Sequence, residues 1–398
     1  MSQLVHLVLG DNKFLGYIVD YFETVRPKQN KVVVFGERTN LLEAANLQYA
    51  DETDWDRLFA EATGCVTHCL LPEQAEVIKR IPKELPLAWI WFGAEYHNFL
   101  PEFRHDLFDP ETARIVVGLD RARKRAHSRF GDLFLRTLGN VSRPWRMHGR
   151  NQLLRRAMRR SDLMGILFDE EFKLVQNRIK TTGLQSPVTY YNIDETVCRD
   201  GGQVTQLEKL GTNILLGNSG TPANNHAEMM RFLAGCKADF GKVVVPLSYG
   251  DVRYRDHVLD LGQQILGESF APMTTFMRRE EYNAKLSSCG IVIMNHRRQQ
   301  AVGNIVTALW QGAKVFLRPE STVYQFLTRI GITVFSVERD LLSSGSPKDA
   351  LTALSDDLVA ENRSRLSMLF GKDQVVNRFR EMADQLDRLH EIRTQDVK

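Results

Sequence analysis

The chain has 398 residues and a mass of 45.6 kDa, with 43% hydrophobic and 25% charged residues. That is an ordinary globular balance, which excludes intrinsic disorder and low-complexity fibres. At roughly 150 residues per domain the length predicts two or three units, each able to bury a core. Formal net charge is only +3, and no apolar run approaches the ~18–20 residues that cross a bilayer.

In chain order, the start from Met1 to Gly10 has no basic n-region and no cleavage-type tail, so it reads as a strand and not a signal peptide. Short β-rich apolar segments then recur: Val5–Leu9, Val32–Phe35, Leu87–Phe92, Met164–Phe168 and Val188–Tyr191. A polar seam, Arg199–Gln206, separates them from Ile214–Leu216, Val243–Leu247, Gly290–Met294, Val315–Leu317 and Thr333–Phe335. Helical patterns such as Glu280–Ser288 and Gly303–Gln311 lie between them. Near-continuous apolar strands alternating with helices predict parallel sheets in an α/β protein. The expected architecture is two Rossmann-like domains facing a cleft, over 1–205 and 206–346, followed by a helical tail over 347–398.

The five cysteines, Cys65, Cys69, Cys198, Cys236 and Cys289, are an odd number in a long chain and read as free thiols. Cys65-Val-Thr-His-Cys69 holds three potential metal ligands but no second pair nearby, so buried thiols beside a strand are expected. Asp54-Trp-Asp56 has the short Asp-x-Asp spacing of metal-dependent transferases. It also opens a helical pattern, where acids are favourable at the N-terminus. No metal is expected.

Charge is unevenly distributed. Between Arg121 and Arg160 stand 13 Lys or Arg residues and one acid, Asp132, a local excess of 12 that leaves about −9 for the rest of the chain. The bases include Arg121, Arg123, Lys124, Arg125, Arg155, Arg156, Arg159 and Arg160, interleaved with apolar side chains such as Phe134, Trp145, Leu154 and Met158. Three readings fit: an anionic membrane surface, nucleic acid, or a solvated helical face with a few core contacts.

Three stretches in the second half carry the chemistry. Asn213–His226 runs from a strand through Gly217, Asn218, Ser219 and Gly220 into a helix. Glycines there let backbone N–H groups approach an anion, and a helix N-terminus favours negative charge. Gly290–Asn304 empties a strand into Arg297, Arg298, Gln299 and Gln300 before Gly303 opens the next helix, an arrangement able to clamp a diphosphate. Val315–Ser321 places Glu320 just past a strand end, where a carboxylate accepts hydrogen bonds from a hydroxyl pair. Ligands of open α/β sheets sit at these carboxyl ends.

Gly217-Asn-Ser-Gly220 with His226, Val243-Val-Val-Pro246 with Tyr249, Arg298-Gln-Gln300 with Gly303, and Glu320 resemble the signature turns of glycosyltransferase family 56. The likeness is continuous from about Asn213 to Phe335. Before that it runs only through Val8-Leu-Gly10 and Ile90–Tyr96. The resemblance implies a GT-B enzyme that moves 4-acetamido-4,6-dideoxygalactose from a dTDP-sugar to a polyprenyl-diphosphate disaccharide in enterobacterial common antigen synthesis. It implies a donor diphosphate at Ser219, Gly220, Arg298, Gln299, Gly303 and Asn304, stabilised by helix dipoles and basic side chains without a metal. It also implies that the basic segment touches anionic lipid headgroups and the acceptor on the cytoplasmic face of the inner membrane, with no nucleic acid as partner.

Transfer with inversion needs a base for the acceptor hydroxyl. Glu95, at a Gly-Ala turn after a buried-type strand, is the first candidate, where the family has Asp. Asp11, in the first β-α turn, is the second, ahead of His97, His226 and His296. Departures at Asp11–Phe14, at Gly220-Thr-Pro-Ala-Asn and in the long basic segment leave room for another nucleotide-sugar or acceptor. A nucleotide-sugar 2-epimerase or a non-enzymatic membrane-associated protein are the readings from other classes.

Overall fold

The computed structural model describes residues 3–10, 12–36, 47–93, 107–129, 149–196, 210–236 and 238–395, with backbone alone at 12–14, 123–129, 195–196 and 279–280. The chain divides into two compact units, each built on a parallel sheet. Unit 1 comprises 1–102, 134–192 and 372–398; unit 2 comprises 103–133 and 193–371.

Unit 1 contains β1 (Leu4–Leu9), β2 (Asn30–Phe35), β3 (Leu47–Tyr49), β4 (Gly64–His68), β5 (Leu87–Ile90), β6 (Leu163–Gly165) and β7 (Leu184–Gln185), in the order β3-β2-β1-β4-β5-β6-β7. β1 lies in register between β2 and β4, with Leu4 opposite Asn30 and Gly64. Its central strands are buried on both faces, which is why they read as continuous apolar runs. The Asn12–Val25 helix buries Leu15, Ile18, Phe22 and Val25 at helical spacing. The Lys372–Gln395 helix buries Val375, Phe379, Met382, Ala383 and Leu386 in the same core, with the Phe379 ring stacked 4.9 Å from Tyr21. Each such large side chain contributes about 1.5–3 kcal/mol on burial. Arg26 pairs with Asp384 and Asp387 on that helix.

Unit 2 contains β8 (Ile214–Leu216), β9 (Val243–Pro246), β10 (Phe270–Met273), β11 (Ile291–Met294), β12 (Lys314–Leu317) and β13 (Phe335–Ser336), in the order β10-β9-β8-β11-β12-β13. Strand order reverses between β8 and β11, and the loops after a reversal part to leave a crevice. The Pro110–Arg129 helix packs Ile115 and Leu119 on this core. Its N-terminus is capped by Glu228, which accepts from the Glu111 and Thr112 amides at 2.9 and 2.8 Å and from the Thr112 hydroxyl at 2.7 Å.

Several expectations are corrected here. The tail from residue 347 is not a segment of its own: the Asp356–Phe370 helix belongs to unit 2 and the Lys372–Gln395 helix to unit 1, because their apolar stripes complete different cores. Nor does the basic segment lie within one domain. Its first part ends the Pro110–Arg129 helix of unit 2 and its last part, a helix over 149–160, belongs to unit 1. There Leu154, Ala157 and Met158 are buried, so that apolar spacing serves the core. Val188–Tyr191 forms no strand, with residues 188–190 buried and Tyr191 half-buried. Asp54 caps the Trp55–Glu61 helix by accepting from the Arg57 amide at 3.3 Å, and Asp56 pairs with Arg80 at 3.0 Å. Among the described residues no helix is long and apolar enough to cross a membrane, and no three His, Cys, Asp or Glu side chains cluster as metal ligands.

Candidate active site

The predicted donor residues fall on unit 2 at the carboxyl ends of β8, β9, β11 and β12. Gly217 leaves β8 with φ +69°, and a Cβ there would stand 2.6 Å from Asn224 Oδ1 and 2.8 Å from His226 Nε2. Only glycine fits without displacing both. Asn224, fully buried, locks the turn: its Oδ1 accepts from the Asn218 amide (2.8 Å) and its Nδ2 donates to Ser219 Oγ (3.1 Å) and Thr221 O (3.0 Å). Because the Asn218 amide can only donate, Asn224 Oδ1 is fixed as an acceptor. The 2.7 Å contact with His296 Nε2 therefore requires a proton on that nitrogen. Burial, then the Arg298 and His226 charges, holds His296 well below its ordinary pKa.

The turn is not an open anion nest. Gly217 N donates to Ile293 O (2.9 Å), Asn218 N to Asn224, and Gly220 N to Tyr249 O (2.7 Å). Ser219 N–H is left as the one amide of the four without a partner among the described residues. The expectation that the Gly220 amide reaches an anion is corrected by this bond. Asn218 is the hub, donating from Nδ2 to the Tyr249 hydroxyl (2.9 Å) and accepting from Gln300 Nε2 (2.8 Å). His226, buried at the first turn of the His226–Gly235 helix, has its pKa pushed down to about 3 by burial; Nδ1 contacts Tyr254 Oη at 3.3 Å.

Positive charge enters from β11. Arg297 and Arg298 lead through Gln299 and Gln300 to Ala301, whose φ of 60° turns the chain into the Val302–Gln311 helix. The Val302, Gly303 and Asn304 amides precede the first intrahelical bond, Ile305 N to Ala301 O (2.9 Å). This helix end, with Arg298 in the preceding turn, is what an anionic group requires. Asn304 Nδ2 donates to the Tyr282 hydroxyl at 2.9 Å.

Glu320, past β12, is held by Arg297 (3.1 Å) and Arg318 (3.1 Å), both on Oε1. Burial works to raise its pKa, but hydrogen bonds and the Arg318 and Arg297 charges bring it below the usual carboxylate range. Arg318, 8% exposed, also pairs with Asp109 (3.4 Å) and Glu338 (2.6 Å). Asp109, itself buried, accepts from Asn295 Nδ2 (3.2 Å), and its amide donates to Asn225 Oδ1 (2.8 Å). Asn224, Asn225, Asn295, Arg318, Asp109 and Glu338 were not singled out from sequence. Asn224 binds chiefly within its own turn, whereas Asn225, Asn295, Arg318, Asp109 and Glu338 meet partners 20 to 209 positions away.

A family model described as 4-alpha-L-fucosyltransferase, glycosyl transferase group 56, matches residues 153–376, more than half of the chain and all of the strands carrying these loops. The chain belongs to glycosyl transferase group 56. It is a glycosyltransferase, as the resemblance implied. Its fold is also that of solved structures matched along nearly their whole length. Sucrose-phosphate synthase from Thermosynechococcus elongatus shares 11% identity over 96% of this chain and 99% of that one, with a TM-score of 0.60. HepE from Anabaena, solved in complex with UDP and glucose, shares 13% over 96% and 99%, at 0.57. Trehalose 6-phosphate synthase from Burkholderia multivorans shares 13% over 98% of each chain, at 0.56. These likenesses show the GT-B fold.

Glu95 and Asp11, expected as bases, lie outside the described residues, as does His97. Arg121 is exposed on unit 2, and Arg156 and Arg159 are exposed on unit 1, with Arg155 half-buried. The side chains of Arg123, Lys124 and Arg125 lie outside the described residues. Arg159 donates to Ile179 O (2.7 Å). Arg160 is tied down by Asp162 (3.1 Å) and Leu85 O (2.7 Å), which gives it a structural task in place of the expected headgroup contact.

Proposed function

We propose that this group 56 enzyme moves a 4-amino-4,6-dideoxyhexose, of the 4-acetamido-4,6-dideoxygalactose type, from a dTDP-sugar to a lipid-diphosphate-linked saccharide. The reaction belongs to bacterial surface polysaccharide synthesis, at the cytoplasmic face of the inner membrane. The observation that carries the reading is the Val302–Gln311 helix end with Arg298 before it, beside the reversal between β8 and β11. That is where a nucleoside diphosphate is held in an open α/β sheet. The acceptor hydroxyl oxygen bonds to the anomeric carbon, and the carbon–oxygen bond to the diphosphate breaks. The electron pair leaves on the diphosphate, where Arg298 and the helix amides stabilise it without a metal. The hydroxyl proton passes to a carboxylate, assigned to Glu95, with Asp11 second. Glu320, with Oε1 held by two arginines, offers its other oxygen to a hydroxyl of the donor. Exposed Arg121, Arg156 and Arg159 support contact with anionic headgroups.

Calorimetric titration with dTDP and UDP in chelator tests the donor. Micromolar dTDP binding, tighter than UDP, is expected. Arg298→Ala should weaken it about tenfold to hundredfold, the worth of charge-assisted bonds. Tighter UDP binding would move the donor class, and unchanged binding by a folded Arg298→Ala variant would overturn the diphosphate site.

A further inference from the structure

The donor loops contain two buried acceptors that no described residue uses. Asn218, 8% exposed, is engaged at both ends of its amide: Nδ2 donates to the Tyr249 hydroxyl at 2.9 Å and Oδ1 accepts from Gln300 Nε2 at 2.8 Å. Gln300 thereby gives one of its two Nε2 hydrogens to Asn218. Its Oε1 is buried and has no partner among the described residues, and the same holds for Gln299 Oε1. Both residues stand in the chain between Arg298 and the start of the Val302–Gln311 helix.

A carbonyl oxygen is repelled by phosphate oxygens and is satisfied only by an O–H or N–H donor. Left buried and unmatched it is a liability, so buried acceptors generally have partners. In a sugar nucleotide the groups attached directly to the diphosphate are the ribose and the transferred sugar; the base is one ribose further away. The transferred sugar offers the denser set of donors, its ring hydroxyls and, in an acylamino sugar, an amide N–H. We propose that Gln300, latched by Asn218, reads a hydroxyl or amide hydrogen of the transferred sugar, with Gln299 beside it, and that neither contacts the diphosphate. Asn218 is then a positioning residue and Gln300 a specificity-determining one. The proposal rests on the nucleotide-sugar reading above. It removes Gln299 from the diphosphate set that the family resemblance implied.

The test titrates wild-type protein, Gln300→Met, Asn218→Ala and the double variant with dTDP and with dTDP-4-acetamido-4,6-dideoxygalactose, alongside thermal melting. Gln300→Met fills the same volume without an acceptor. It should leave dTDP affinity within about twofold and weaken the dTDP-sugar about tenfold to hundredfold. Asn218→Ala should weaken the dTDP-sugar less, and the double variant should bind no worse than Gln300→Met, since both act through one hydrogen bond. Equal losses for dTDP and the dTDP-sugar would overturn the proposal in favour of a nucleoside or diphosphate contact. No loss for either ligand in a folded Gln300→Met variant would also overturn it. Wild-type protein that binds neither ligand would instead overturn the dTDP-sugar reading beneath it.

Discussion

Acid should loosen unit 1 through two histidines that its core holds neutral. Asn30 Nδ2 donates to Phe22 O (3.1 Å) and Arg26 O (2.7 Å), so its Oδ1 faces His6 Nε2 as an acceptor at 3.1 Å. His6 Nε2 therefore carries the proton, and His6 Nδ1 accepts from His68 Nε2 at 3.0 Å. His68 Nδ1 in turn accepts from the Tyr190 hydroxyl. Every ring nitrogen is spent in the neutral state, and a further proton would set two donors against each other. Burial pushes the His6 pKa down to about 4 and that of His68 well below its ordinary value. The unfolded chain thus binds protons near pH 6.5 that the native state refuses. This contribution is complete above about pH 6.5 and is lost as the pH falls toward about 4. For His6 alone the loss is about 2 kcal/mol by about pH 5 and about 3 kcal/mol at its limit. Urea unfolding followed by hydrogen exchange of the β1 and β4 amides, near pH 7 and pH 5, reads it directly. His6→Gln, which cannot titrate, should show a shallower acid loss than wild type. Equal stability of these strands at both pH values, or a native His6 resonance titrating near 6.5, would refute the reasoning.

Two substitutions probe unit 2. Gly217→Ala must accept φ +69° and contacts of 2.6 and 2.8 Å with Asn224 and His226. Its left-handed backbone alone costs about 1–2 kcal/mol. Donor affinity should fall more than about tenfold as the turn shifts, and calorimetry showing unaltered affinity would detach this turn from the donor. Arg318→Met removes the cation shared by buried Asp109 and half-exposed Glu338 and leaves Asp109 the longer 3.7 Å contact with Arg297. It should cost about 3–5 kcal/mol, with Arg318→Lys recovering only part. A melting temperature within a degree or two of wild type would show that the network carries no such energy.

The parts legible in the sequence are those whose burial is two-sided. β1, β2, β8, β9, β11 and β12 are continuous apolar runs because helices or loops cover both faces. β3, β7 and β10, all edges, were missed: β7 is two residues long with Leu184 exposed, and β10 contains Pro272, tolerable only where one side is unpaired; central β4 was missed too, because its Cys65, Thr67 and His68 break the apolar run although all five residues are buried. Val188–Tyr191 failed the other way. Its apolar residues fill the core, but the Tyr190 carbonyl receives the Tyr21 hydroxyl at 3.4 Å and not a ladder amide. Within the site, Gly217–Gly220 and Arg298–Gln300 were visible because turn chemistry is local. Asp109 and Arg318 pair across 209 positions, and no local rule connects them.

The two loops at the reversal divide their labour. The β8 turn spends three of its four amides on the protein and hangs on one buried side chain, Asn224, so it supplies shape more than charge. The β11 turn brings two arginines and a free helix end, so it supplies the field that an anion needs. Asn218 ties the first to the second through Gln300, so the rigid turn sets the orientation of the Gln300 amide. Substitutions in the β8 turn should therefore lower stability and donor affinity together, because shape and fold are the same hydrogen bonds. Substitution at Gln300 should instead lower nucleotide-sugar affinity with little change in melting, because its Oε1 accepts no hydrogen bond from the described residues.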